Sequence, residues 1–234
     1  MIFSFEKGMM QKEKYRKETE ENKMKTDGIL FDLDGTLWDA VEGILTAWNQ
    51  VIAAHPDLRG PLEYSELQGY MGLPMDEIAR RMFPMCPESE QQRLLEECCQ
   101  VEHQVLEKRG GTLYPQVEET LQVLSRKFPL FIVSNCEDGY IQCFFRSMGL
   151  EKYFKDIECF GATGLSKGEN NKLIIRRNGL KQPVYVGDTQ GDSHAARQAG
   201  IPFVFARYGF GDTKDYDTAI DHFAQLVELM EEIE

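Results

Sequence analysis

Asp32 and Asp34 stand one residue apart, directly after the apolar run Ile29-Leu30-Phe31 and before Gly35 and Thr36. Strand alternation turns both carboxyl groups to one face at the carboxyl end of that run. Two like charges that close are costly. Either one carboxyl keeps its proton or a cation sits between them, and both arrangements belong to catalysis more than to packing. Alone, the pair also reads as a solvated turn that ends a strand. Other polar groups repeat the placement: Ser134 and Asn135 after Pro129–Val133, Lys167 after Asp156–Phe160, and Asp188 and Asp192 after Pro183–Val186. Such a coincidence at one edge of one sheet makes a pocket of carboxylates, an ammonium, a hydroxyl and an amide. The carboxylates suit a hard divalent ion, and Mg²⁺, which takes a few carboxylates plus water and phosphate oxygens, fits best. Lys167, Ser134 and backbone N–H groups of the Asp34 turn then suit the remaining oxygens of a phosphate.

The elements that must position these groups alternate. Ile29–Phe31, Pro129–Val133, Asp156–Phe160, Pro183–Val186 and Pro202–Ala206 read as buried strands. Between them lie helical patterns: Val117 to Leu124, opened by Pro115; Tyr140 to Met148, closed by Gly149; Lys172 to Asn178; and Ser193 to Ala199. Ile220, Phe223, Leu226, Val227 and Met230 suggest a closing helix. This rhythm predicts an α/β fold, a doubly wound (Rossmann-like) parallel sheet that binds its ligand at the carboxyl ends of the strands. One long stretch breaks it. Val41–Ile52, Glu63–Tyr70, Met75–Phe83 and Glu88–Lys108 are helical with no strand among them, so an all-helical cap is inserted into the core. The expected division is a core of residues 26–38 and 112–234, a cap of residues 39–111 with hinges near Trp38-Asp39 and Gly110-Thr112, and a polar extension of residues 1–25. Met24 is a plausible alternative start.

Composition bounds the partners. The 26 basic and 39 acidic residues leave a net charge of −13, which argues against a nucleic-acid or anionic-membrane surface without excluding an anion at one pocket. No apolar run approaches the ~20 residues of a membrane span. The first stretch lacks a secretory apolar region and cleavage site. The six cysteines contain no C-x-x-C pair, so neither a zinc site nor a disulfide framework is expected. A cytoplasmic location follows; a monomer or weak homodimer is expected, with a small phosphorylated metabolite able to fit beneath the cap as the expected partner.

In order, D-x-D-G-T at Asp32, S-N at Ser134, a lysine after the third strand and G-D-x-x-x-D at Gly187, with a helical cap between the first two, resemble the haloacid dehalogenase-like hydrolase superfamily, in its phosphoglycolate phosphatase/β-phosphoglucomutase-like group. The resemblance implies a phosphatase in which Asp32 attacks phosphorus to give an aspartyl-phosphate. Asp34 protonates the leaving oxygen and later deprotonates the attacking water. Mg²⁺ is held by the carboxylate of Asp32, the backbone carbonyl of Asp34 and the carboxylate of Asp188, with Asp192 acting behind them. Ser134, Asn135 and Lys167 bind the phosphoryl group.

Lys172 and Lys181 are alternatives to Lys167, which is preferred because it precedes the helical pattern that already contains Lys172. Thr36 shapes the turn or simply caps it. Cap contacts to substrate are sought in Gln68, Gly72 and Leu73, with Arg80 and Arg81 either anchoring a second anionic group or lying on an exposed face. His55, His103, His194 and His222 match no metal or triad spacing, and Cys136 reads as a packed thiol. Asp34 and Asp188 argue against dehalogenation, and the absence of lysine from Asp39 to Glu107 argues against Schiff-base phosphonatase chemistry. A phosphomutase, or a binding or regulatory module that has lost turnover, remain the competing readings.

Overall fold

The computed structural model describes residues 23–232. Strands β1 (Met24–Thr26), β2 (Ile29–Phe31) and β3 (Trp38–Asp39) lead into helices α1 (Val41–Ala54), α2 (Tyr64–Gln68), α3 (Met75–Met82) and α4 (Glu88–Arg109). There follow β4 (Thr112–Leu113), α5 (Val117–Leu124), β5 (Leu130–Ser134), α6 (Tyr140–Met148), β6 (Asp156–Cys159), α7 (Phe160–Thr163), α8 (Lys167–Asn178), β7 (Val184–Gly187), α9 (Gln190–Ala199), β8 (Phe203–Ala206), β9 (Thr218–Ile220), α10 (Leu226–Leu229) and β10 (Met230–Glu232).

The central sheet has six strands in the order β6-β5-β2-β7-β8-β9, every neighbouring pair parallel. β2, β5, β7 and β8 are buried at every residue, as parallel strands covered on both faces must be. Alternation sorts their side chains between the two faces. Ile29, Phe31, Ile132 and Val186 join the larger core with α1, α4, α5 and α6, while Leu30, Phe131, Val133 and Tyr185 pack with Ile174 of α8 and Ala196 of α9. The chain order reverses around β2, so the ends of β2, β5 and β7 face one crevice, the usual ligand position in an open α/β sheet.

The helical insertion is as the periodicity predicts, and both chain crossings into it are tied together. β3 pairs antiparallel with β4, Trp38 opposite Leu113 and Asp39 opposite Thr112. Trp38 is fully buried and packs edge-on against Tyr140 and Phe144 of α6, at ring-centroid separations of 5.8 and 4.9 Å.

Several element boundaries differ from expectation. The closing helix is only α10. Ile220 ends the sixth sheet strand, Phe223 opens a single 3₁₀ turn, and Met230 begins β10, which pairs in parallel with β1. Ile220, Phe223, Leu226 and Met230 are all buried, so their spacing reports burial and not helical continuity. β1 also takes in Met24 and Lys25, which were expected in the polar extension; residues 1–22 of that extension lie outside the described residues. α8 starts at Lys167, five residues before the pattern seen in sequence, because Ser166 caps it by accepting from the Glu169 amide at 3.3 Å. α9 likewise starts at Gln190, behind a Thr189/Asp192 capping box. Pro115 does not open α5, whose N-cap is Gln116 in the left-handed region, at φ 63°.

Candidate active site

β2 delivers Asp32 to the crevice. Its amide still follows the sheet, donating to the Val186 carbonyl at 2.8 Å, and the chain then turns through Gly35 at φ 81°. A Cβ on Gly35 would lie 2.2 Å from Asp188 Oδ2, so glycine here serves both the turn and the close approach of Asp188. The Gly35 amide donates to the Trp38 carbonyl and the Leu37 amide to the Leu33 carbonyl, both at 2.9 Å. Thr36 does not cap this turn with its side chain: Oγ1 is buried with no hydrogen-bond partner among the described residues.

Four buried charged groups interlock at the strand ends. Lys167 Nζ, at the first position of α8, donates to Asp32 Oδ1 at 2.8 Å and to Asp192 Oδ1 at 2.7 Å. Asp192 Oδ2 accepts from the Asp188 and Thr189 amides, at 3.2 and 2.9 Å, and from the Thr189 hydroxyl at 2.7 Å. Asp188 Oδ2 accepts from the amides of Phe210 and Gly211, at 2.7 and 3.3 Å. Its other oxygen, Oδ1, is buried without a partner. One oxygen of each of Asp32, Asp188 and Asp192 lies within 4.8 Å of the others.

Three carboxyls therefore share one ammonium. Burial, reinforced by Asp192, raises Asp32 to about 6 against the pull of Lys167, and burial with Asp192 and Asp32 pushes Asp188 well above the ordinary carboxylate range. Burial opposes the charge on Lys167, but Asp192 and Asp32 outweigh it and hold the ammonium firmly protonated. A divalent cation is what such a donor set fits: hard oxygens in negative excess, one of them already oriented by two amides and otherwise unsatisfied. The direct ligands available are Asp32 and Asp188. Both Asp192 oxygens are committed, so Asp192 orients Lys167 and the β7–α9 turn instead.

Asp34 points the other way, into a cavity of about 50 Å³ that Ser134, Asn135, Gly72 and Leu73 also line. Tyr140 of α6 donates its hydroxyl to Asp34 Oδ1 at 2.8 Å. Burial nevertheless raises Asp34 to about 7, with Asp32 and Glu137 adding to the rise and the Tyr140 hydrogen bond opposing it. Asn135 Nδ2 donates to the Gly72 carbonyl at 2.9 Å, which joins the crevice to the cap.

Gln68 and Arg80 are not brought to the cavity. Gln68 is half-buried at the end of α2, and Arg80 pairs with Asp76 at 2.8 Å on an outer face of α3 with its side chain 54% exposed. Arg81 pairs in the same way with Glu77. Cys136 is buried, and burial, with Cys159 beside it, pushes its thiol well above the ordinary range, as for a packed thiol.

Sequence reasoning missed Tyr140, Glu102, Glu137 and the Phe210 and Gly211 amides. Tyr140 sits on the buried face of an amphipathic helix, and main-chain donors leave no residue-type signal. Glu102 did leave one: it shares the buried face of α4 with Leu95, Cys98, Cys99 and Leu106, where a charged residue is exceptional unless paired or functional.

A doubly wound parallel sheet with acidic and cationic groups at its switch point and a helical lid over them defines a class of α/β hydrolase. A profile of the haloacid dehalogenase-like hydrolases matches residues 29–206, and the chain belongs to that family. It is 28% identical over 211 residues to a phosphoglycolate phosphatase of Agrobacterium fabrum, covering 84% of this chain and 89% of that one. It is 27% identical over 225 residues to the phosphoglycolate phosphatase of Escherichia coli K12, covering 83% and 84%. A solved structure from Bacteroides fragilis, assigned to the same hydrolases, superposes with a TM-score of 0.77 at 22% identity over 86% of this chain and all of its own. The expected enzyme class, a phosphatase of this family, agrees with both curated relatives.

Proposed function

We propose that this enzyme hydrolyses a small phosphate monoester in a Mg²⁺-dependent reaction that passes through an aspartyl-phosphate on Asp32. The observation that carries the reading is the pairing of Asp32 with Lys167 beside the oriented, half-unsatisfied Asp188. Asp32, the main-chain carbonyl of Asp34, and Asp188 would hold Mg²⁺, which supplies charge neutralisation at the phosphoryl oxygens when bound. The Asp32 carboxylate oxygen attacks phosphorus as the ester oxygen leaves, and Asp34 gives that oxygen its proton. The raised affinity of Asp34 for its proton suits this step near neutral pH. Water then attacks the same phosphorus, its proton passes to Asp34, and phosphate departs from a regenerated Asp32. Ser134, Asn135 and Lys167 hold the transferring group. On this reading the core takes in residues 24–38 and 112–232 and the cap residues 39–111, the cap excluding bulk water during transfer. Six free cysteines suit a reducing, cytoplasmic setting, and no helix among the described residues is long and apolar enough to cross a membrane.

A panel of phosphorylated small molecules incubated with Mg²⁺ tests the reading by released inorganic phosphate. Asp32→Asn is expected to lose at least about a thousandfold in turnover while remaining folded, because it removes the nucleophile of the covalent step. Wild-type turnover by that variant would remove Asp32 from the role. An isomerised ester in place of free phosphate, dependent on added bisphosphate, would point to a mutase.

A further inference from the structure

We propose, resting on the phosphatase reading above, that the cavity over Asp34 selects a leaving group that carries N–H or O–H donors and no second negative charge, and that Glu102 of the cap receives it. The charge inventory of the cavity is one-sided. Asp32, Asp34, Glu102 and Glu137 face it, and among the described residues no lysine, arginine or histidine lines it. The nearest cations are committed elsewhere. Lys167 is held between Asp32 and Asp192, His103 meets Glu137 at 2.9 Å from outside the cavity, and Arg59 is paired with Glu66 at 2.9 Å.

Three neutral donors of the wall are committed as well, and Ser134 and Asn135 stand at the phosphoryl end of the cavity. Tyr70 gives its hydroxyl to Glu66 at 2.6 Å, Tyr140 gives its own to Asp34 at 2.8 Å, and the Trp48 indole N–H goes to Glu102 Oε2. Much of the rest of the wall is apolar surface from Ile44, Leu73, Met75 and Ile78. A carboxylate on the leaving group would be desolvated here with no countercharge, and with no side-chain donors beyond those that the phosphoryl group takes, a costly way to bury an ion. A donor-bearing group has a partner. Glu102 is 2% exposed, and its Oε1 accepts no hydrogen bond among the described residues. Burial, with Glu137 close by, pushes Glu102 well above the ordinary carboxylate range, and its Oε1 is the acceptor that the cavity offers to an ammonium or a hydroxyl. The cavity is small, about 50 Å³, which favours a small leaving group. Phosphoglycolate, whose leaving group carries a carboxylate, is then a poor substrate, and this chain parts from the activity for which its curated relatives are named.

Steady-state kcat/KM for ethanolamine phosphate, glycerol phosphate and phosphoglycolate, measured on the full chain with Mg²⁺, tests this, with p-nitrophenyl phosphate as the generic ester. At least one of the two donor-bearing esters is expected to exceed phosphoglycolate by tenfold or more. The better of the two distinguishes an ammonium from a hydroxyl as the recognised group. Glu102→Met, which keeps the volume and removes the acceptor, is expected to reduce that ratio at least fivefold by lowering kcat/KM for the donor-bearing ester, whereas Glu102→Gln is expected to do so only where an ammonium is the recognised group. Phosphoglycolate cleaved as well as both others overturns the inference, as does failure to cleave either donor-bearing ester by protein that cleaves p-nitrophenyl phosphate. Failure to cleave p-nitrophenyl phosphate as well overturns the phosphatase reading beneath it.

Discussion

Asp192 accepts from Lys167, the Thr189 hydroxyl, two main-chain amides and, at 3.4 Å, the Tyr185 hydroxyl, so both of its oxygens are engaged. Its work is to aim Lys167 at Asp32 and to hold the turn that presents Asp188. Partners of this kind typically account for about 10–100-fold in metal affinity or activity. Asp192→Asn is therefore expected to raise the Mg²⁺ concentration for half-maximal activity by that factor, read from a metal titration of initial rates. An unchanged titration would mean that Asp188 is oriented by the Phe210 and Gly211 amides alone. Asp34 differs from Asp32 in its partners: Tyr140 donates to it, no cation among the described residues pairs with it, and burial raises it to about 7.

Between α2 and α3 the cap sends a tight loop down to the core. Gly72 adopts φ 79°, and a Cβ there would meet Thr189 Cγ2 at 3.2 Å, while its carbonyl accepts from Asn135. A side chain at this position is strained by its backbone and crowded by the β7–α9 turn. Gly72→Ala is expected to cost about 1 kcal/mol, a fall in Tm of roughly 2–4 °C for a chain of this size. Because the same loop roofs the cavity, kcat/KM is expected to drop with it. A melting scan and a rate measurement on one preparation check both. A lower Tm with an unchanged rate would separate the loop from closure over the substrate.

Across the whole molecule, cap and core also meet at His103 of α4 and Glu137, which follows β5. The hydrogen bond that His103 donates to Glu137 raises the imidazole above its ordinary value despite partial burial. Its stabilisation is fully present below the unfolded histidine value of about 6.5 and is lost as pH rises through the folded value. The pair is about a quarter exposed, so its contribution is at most about 1 kcal/mol. Tm is expected to fall between pH 6 and pH 9, and in His103→Gln that fall is smaller. Equal slopes would show that the pair does not couple to folding. Mg²⁺ bound as proposed would act on stability as well. At about a hundred times its dissociation constant it is expected to add about 2.7 kcal/mol, so chelation lowers Tm by several degrees in the wild type and by much less in Asp188→Asn.

The layers of this protein were legible in its residues. Ile29–Phe31, Leu130–Val133 and Val184–Val186 are apolar throughout because strands covered on both faces have no polar side, and the polar groups that follow them stand where a parallel sheet must put its ligand. The insertion was legible too, since helical spacing from Val41 to Lys108 is local information. What sequence did not determine was anything set by contact between distant segments. Ile220 and Met230 carry a helix-like spacing but belong to strands, because β8 and β1 offer them partners. Asp188 is oriented by two amides over twenty residues away, which no residue type announces. The cavity was out of reach for the same reason. Its missing cation and its buried Glu102 emerge only when α1, α4 and the Gly72 loop close over the strand ends, since the charge balance of a pocket belongs to the surfaces that meet there and not to any one stretch of chain.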